Sequence, residues 1–235
     1  MYESANIGKY AYQTAVTEQT LLYEDMTVYI EEYFKTKKQD MSYEEILKLD
    51  QAFKHAVNNL SMQLIELAEI ERQEKANNSR LSSLLLDVKA QIEKELRDYC
   101  DRILKLLDNT VLKRIICDEN KAYYYKLKAD HNRYIHQFCV GERMPEHFTN
   151  IKYFYQQAFD LLEKTIITHP LKLDFILYYA NYYSEIEENK EEALNILNSI
   201  FEEGKKMLDE LNDKDYLLAI QKLQIIKENI EKINI

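Results

Sequence analysis

The sequence predicts an all-α protein, about nine antiparallel helices stacked as hairpins in an α-solenoid-like array or bundle. Three observations carry this. Only 3 Gly and 2 Pro occur in 235 residues, too few for the turns that β-hairpins demand. Apolar residues recur at steps of three and four over long stretches. Capping signals stand where those stretches begin.

The clearest helix opens with the capping box Ser42 to Glu45 and continues through Ile46, Leu49, Phe53, Ala56, Leu60, Leu64 and Leu67, spanning roughly 43–74. After a break at Ala76-Asn77-Asn78-Ser79, the stripe Leu81, Leu85, Val88, Ile92, Leu96, Tyr99, Ile103 and Leu106 predicts a second long helix folding back on the first. Further helices are expected at about 3–19, 23–36, 115–138 and 145–167, with Pro170 opening another to about 186. Asn189 to Glu192 caps the next, and Leu217, Ile220, Leu223, Ile226, Ile230 and Ile233 mark a last helix from near Asp213. No stretch rich in Gly, Pro or Ser separates domains, so residues 1–235 are read as one unit. The 34-residue pattern of tetratricopeptide repeats is absent.

Composition excludes several functions. A net charge of −10 repels a phosphate backbone, so no nucleic-acid partner is expected. No apolar run spans a membrane and Met1-Tyr2-Glu3-Ser4 does not resemble a signal peptide, which points to a cytoplasmic protein without a membrane partner. Cys100, Cys117 and Cys139 are too dispersed for a disulfide framework or metal site and are expected reduced and half-buried. The 19 tyrosines are read as interhelical packing. No Gly-rich phosphate loop, GxSxG or HExxH occurs, so no enzyme, cofactor or metal is expected. His131 and His136, about 140° apart round a helix, do not share a face and are read as exposed or partner-capped.

One polar grouping remains. Lys126 and Arg133, seven apart, lie at nearly the same helical angle; Tyr134 follows, and Asp130 stands three before Arg133. An Arg fork, a phenol and a Lys point charge match the oxygens of a phosphate, although a solvated face of this composition is common.

Beyond composition and spacing, Ile92-Glu93-Lys94-Glu95-Leu96-Arg97-Asp98 with Cys100 resembles the fourth helix of 14-3-3 proteins. Tyr124-Tyr125-Lys126-Leu127-Lys128-Ala129-Asp130 with Arg133-Tyr134 is similar to their fifth. Tyr155-Gln156-Gln157-Ala158-Phe159 and Thr168-His169-Pro170-Leu171 are similar to the sixth and the start of the seventh. Glu185, Glu191-Glu192-Ala193 and Gln224-Ile225-Ile226-Lys227-Glu228-Asn229 continue the likeness in order.

The resemblance implies a nine-helix, cup-shaped protomer that pairs through helices 1–4, with helices 3, 5, 7 and 9 lining a groove for phosphoserine or phosphothreonine segments of client proteins. It implies phosphate binding by Lys54, Arg133 and Tyr134, with Ser61 in place of a further Arg. For the peptide groove it implies Lys126, Leu177, Glu185 and Asn229, with Tyr178 replacing Asn, Asn181 replacing Val, Gln221 and Ile225 replacing Leu, and Ile233 replacing Trp. For the dimer interface it implies Leu22, Asp25, Gln91 and Glu95, where each family salt bridge has lost its cation. The expected function is therefore an adaptor with weakened or altered phosphate recognition, acting as a homodimer or a heterodimer with another family member. The alternative is a phosphate-independent scaffold, or a heterodimerisation partner of a more typical member, motivated by Tyr178, Asn181 and Gln221.

Overall fold

The capping box forms as expected. The Ser42 amide donates to Glu45 Oε2 at 2.6 Å and the Glu45 amide to Ser42 Oγ at 3.3 Å, satisfying two of the amides a helix start leaves unpaired. From that start α3 runs over Tyr43–Ala76. The computed structural model describes residues 2–76, 82–114, 117–139, 144–165, 168 and 170–234. The expected break at 77–79, Leu81 and His169 lie outside them.

Around α3 the described residues form α1 (Tyr2–Gln19), α2 (Tyr23–Thr36), α4 (Ser82–Leu106), α5 (Asp118–Phe138), α6 (Met144–Leu162), α7 (Pro170–Glu185), α8 (Lys190–Met207) and α9 (Asp213–Ile233). No described residue is in a strand. A π-helical turn, Leu107–Val111, extends α4; apolar spacing gave no sign of it. With glycine scarce, two turns place ordinary residues in the left-handed region, Leu21 at φ 58° and Glu188 at φ 55°. No described helix is long and apolar enough to cross a membrane.

The chain forms two compact units, Met1–Phe154 and Tyr155–Ile235. In the first, Val57, Leu60 and Leu64 of α3, Leu96 and Cys100 of α4, and Tyr134, Ile135 and Cys139 around the end of α5 make one apolar cluster. Cys100 and Cys139 are thus fully buried, whereas Cys117 is exposed, correcting the half-buried expectation. Arg102 locks α4 to α2, its Nη2 lying 2.9 Å from Glu31 Oε2 and 3.2 Å from Thr27 Oγ1. The apolar stripe of α4 does not stay covered along its length. Leu96, Ile103 and Leu106 are buried, while Val88 is 48% and its neighbour Leu84 62% exposed.

The second unit packs α7 against α8 and α9 around an aromatic cluster of Tyr155, Phe159, Phe175, Tyr179, Tyr182 and Tyr183. Lys222 of α9 reaches Asp174 of α7 at 2.5 Å. A Cβ at Gly204 would lie 2.9 Å from Leu223 Cδ2, so α8 approaches α9 closely there. The Asn189 side chain caps α8 by accepting from the Glu192 amide at 3.0 Å.

Helix α5 positions the candidate site, and it is buried despite its polarity. Lys126, Lys128, Asp130, His131 and Asn132 are all buried. Lys126 Nζ sits 3.0 Å from Asp50 Oδ2 on α3 and 2.9 Å from Asp130 Oδ2. Tyr123 Oη donates to the same Asp50 oxygen at 2.6 Å. Burial alone raises the Asp50 pKa, but the Lys126 charge, the Tyr123 hydroxyl and more remotely Lys54 outweigh it and hold the carboxyl below its ordinary value. Lys128 pairs with Asp108 at 2.6 Å and lies 3.9 Å over the Phe154 ring. Asn132 Nδ2 donates to the Lys128 carbonyl at 2.7 Å, and Asn132 Oδ1 lies 2.8 Å from His147 Nδ1 on α6.

His131 corrects the expectation of an exposed or capped imidazole. It is fully buried beside Phe53 and Tyr134, and its Nδ1 meets no hydrogen-bond partner. Burial depresses its pKa to about 4, against smaller opposing effects of Asp130 and Asp50. His136 is half-buried, tilted against Phe148, and its Nδ1 is likewise unpartnered.

Two tests follow from this interior. The unfolded chain binds a proton at His131 more readily than the folded one. The associated stability is therefore complete above the ordinary pKa of 6.5, falls as pH drops toward about 4, and levels off below. Denaturant unfolding across that range is expected to lose up to about 3 kcal/mol, and His131→Phe to flatten that part of the curve. Asp50, held below its ordinary value, gives up its contribution only at lower pH. Lys126→Met leaves Asp50 buried without its main counter-charge and is expected to cost about 3–5 kcal/mol in the same unfolding measurement.

Candidate functional site

Of the phosphate-binding candidates, Lys54 and Ser61 stand on α3, and Arg133 and Tyr134 on α5. These helices meet directly. Tyr134 Oη donates to Asn58 Oδ1 at 2.7 Å, so the phenol spans from α5 to the α3 turn between Lys54 and Ser61. Burial raises its pKa to about 12, so it remains a protonated donor at neutral pH. The Arg133 guanidinium lies 4.8 Å over the Tyr134 ring, and its Nη1 donates to Gln137 Oε1 at 3.2 Å, one turn on. The stacking and this bond both orient the fork. Lys54 is half-buried, and its charge reaches Asp50 one turn earlier on α3.

Ser61 is only 5% exposed, and its hydroxyl donates to the Val57 carbonyl one turn back at 2.8 Å. At the position the resemblance assigns to a third cation, the chain therefore presents a neutral side chain satisfied by its own helix.

Lys126 and Arg133 share a helical angle, yet they do not share one open face. Lys126 is 3% exposed and held between Asp50 and Asp130, whereas Arg133 is half-buried. Sequence spacing along α5 does not show Asp50, the residue that draws Lys126 inward. Two neighbours of the candidate residues are not visible from that spacing: Asp50, whose negative charge acts on Lys54, and Asn58, which receives the Tyr134 hydroxyl. Asp50 carries a weak sequence signal, a charged residue one helical turn after the apolar position Ile46 of a core-facing stripe.

The peptide-groove candidates of the second unit fall on two stripes. On α7, Leu177, Tyr178 and Asn181 are half-buried and Glu185 exposed. On α9, Gln221 is exposed and Ile225 is 40% exposed, and the Ile225 carbonyl accepts from half-buried Asn229 Nδ2 at 2.8 Å. Their spacing by four puts Gln221, Ile225 and Asn229 on one face. That face is partly polar.

Of the dimer candidates, Leu22 and Asp25 line a concavity of about 400 Å³ with Leu21, Tyr23, Glu24 and His55. Tyr23 stacks on His55 at 3.9 Å there. Gln91 and Glu95 are exposed on α4. The Tyr99 pKa is raised by burial, then by Glu24, Glu95 and Asp25, against a lowering from Arg102; these carboxylates share one neighbourhood. Leu22, Met62, Ile65 and Leu84 add exposed apolar surface to the first unit.

No described group of His, Cys, Asp and Glu has metal-holding geometry. The arrangement stacks an Arg fork on a phenol of α5, next to the helix that bears Lys54; donors of these kinds suit the oxygens of an anion.

The sequence profile of the 14-3-3 protein family matches residues 13–233. Among characterised relatives, the 14-3-3-like protein G-BOX factor 14 lambda of Arabidopsis thaliana is 28% identical over 233 residues, covering 97% of this chain and 94% of the relative. The 14-3-3-like protein GF14-E of Oryza sativa is 29% identical over 223 residues, covering 93% and 85%. The 14-3-3 protein 2 of Entamoeba histolytica is 28% identical over 221 residues, covering 93% and 92%. With helices and no strand among its described residues and a profile match over nearly its whole length, the chain belongs to the 14-3-3 family of non-enzymatic, protein-binding adaptors.

Proposed function

We propose that this protein is a cytoplasmic adaptor that binds phosphoserine- or phosphothreonine-containing segments of client proteins, with weaker phosphate recognition than a site holding three strong cations. The observation that carries this reading is the pairing of α3 and α5 through Tyr134 and Asn58. It sets the Arg133 fork beside the helix that bears Lys54, while Ser61 supplies no charge. A charge-assisted hydrogen bond contributes about 1.5–3 kcal/mol. The missing cation therefore weakens a phosphorylated ligand by roughly tenfold to a hundredfold. The chain is further proposed to dimerise through its first four helices, with a second copy or with another family member.

A second reading, a phosphate-independent scaffold, draws on the inward position of Lys126 and the polar replacements Asn181 and Gln221. Isothermal titration with peptide pools of degenerate flanks, identical but for a central phosphoserine or serine, separates the two. The phosphorylated pool is expected to bind more tightly, and equal affinities refute phosphate recognition. Lys54→Glu and Arg133→Ala are each expected to weaken the phosphorylated pool by about tenfold or more. If both variants retain native partners in full, the scaffold reading replaces the first.

A further inference from the structure

The charges gathered beneath the candidate site do not balance those of a phosphate dianion. Three cations, Lys54, Lys126 and Arg133, face two carboxylates, Asp50 and Asp130. Lys126 is countered twice, by Asp50 Oδ2 at 3.0 Å and Asp130 Oδ2 at 2.9 Å. The carboxylates act beyond that pair. Both bear on Tyr134, and Asp50 also bears on Lys54. Among these five groups one net positive charge remains. His131, buried against Tyr134 and Phe53, adds none at neutral pH.

The neutral donors point the same way. The Tyr134 proton is directed at Asn58 Oδ1 and the Ser61 proton at the Val57 carbonyl. A phosphoserine carries about −1.5 to −2 at neutral pH and three strong acceptor oxygens. Its second charge has no counterpart among these five groups, and a buried Asp50 carboxylate repels it through a medium of low dielectric. A carboxylate has one charge and two oxygens, which an oriented guanidinium fork meets in bidentate fashion.

We infer that the α3–α5 face is matched to a singly charged anion, so that an unmodified Asp or Glu in a client segment is bound nearly as well as phosphoserine. This rests on the reading of that face as the place where a client's anion is held. The consequence is a partner class of constitutively acidic segments, bound without a kinase.

The test uses the unaltered full chain and four degenerate peptide pools whose central residue is phosphoserine, Glu, Ser or Gln. At pH about 7.5 the phosphoserine and Glu pools are expected to differ by less than about tenfold, both exceeding Ser and Gln. Lowering the pH to about 5.5, where the phosphoserine is largely a monoanion, is expected to hold or strengthen its binding relative to the Glu pool. A phosphoserine pool that outbinds Glu by more than about tenfold overturns the inference while leaving the anion site in place. Four pools of equal affinity overturn the anion site itself. As a second arm, Asp50→Asn, checked for folding by circular dichroism, is expected to raise the phosphoserine-to-Glu ratio by several-fold; an unchanged ratio in a folded variant also counts against the inference.

Discussion

Taking a lysine ammonium out of water costs several kcal/mol before any partner is met, and the first unit of this protein is arranged around meeting that cost at Lys126. Two carboxylates close on it, one from its own helix and one from α3, and Tyr123 completes the hydrogen bonding of the α3 carboxylate. Because Asp50 and Lys126 lie on different helices, the pair fixes the register of α5 against α3. The same register aims Tyr134 at Asn58 and sets Arg133 beside it. The interior salt bridge and the surface site are therefore consequences of one placement.

That placement also explains why polar α5 lies inside. Its buried Lys128 and Asn132 find an aspartate, an aromatic face, a carbonyl and a histidine within reach. Satisfied in this way, polar side chains specify one arrangement of their neighbours more sharply than apolar ones, which tolerate sliding. The Tyr124 hydroxyl and the Nδ1 atoms of His131 and His136 are exceptions, each without a hydrogen-bond partner. The His131 ring lies between Phe53 of α3 and Tyr134 of α5.

Features governed by neighbours in sequence were legible in advance. The Ser42–Glu45 box, the Asn189 cap, the start of α7 at Pro170 and the long α3–α4 hairpin all depend on local spacing, and each is present. What escaped prediction depends on residues far apart in the chain. Spacing puts Lys126 on a face with Arg133 because Asp50, which draws it inward, lies on another helix, and it leaves His131 exposed or partner-capped because the rings that enclose it come partly from α3. The exposure of Val88 and Leu84 has the same origin, since apolar spacing states that a face exists and not how much of it is covered. For the site itself, residue identities came from the family resemblance. The turning of the Ser61 and Tyr134 hydroxyls toward protein acceptors became visible only in three dimensions.

The aromatic cluster of the second unit has an optical consequence. The chain contains 19 tyrosines and no tryptophan, so its ultraviolet emission is that of phenol rings alone. Tyr155, Tyr179, Tyr182 and Tyr183 stand close enough to exchange excitation, and the hydroxyls of Tyr179, Tyr182 and Tyr183 are bonded to Gln156, to Glu187 or to each other. The protein is thus spectroscopically silent where tryptophan would report, and one indole placed on α3 or α5 would light that helix pair against a dark background.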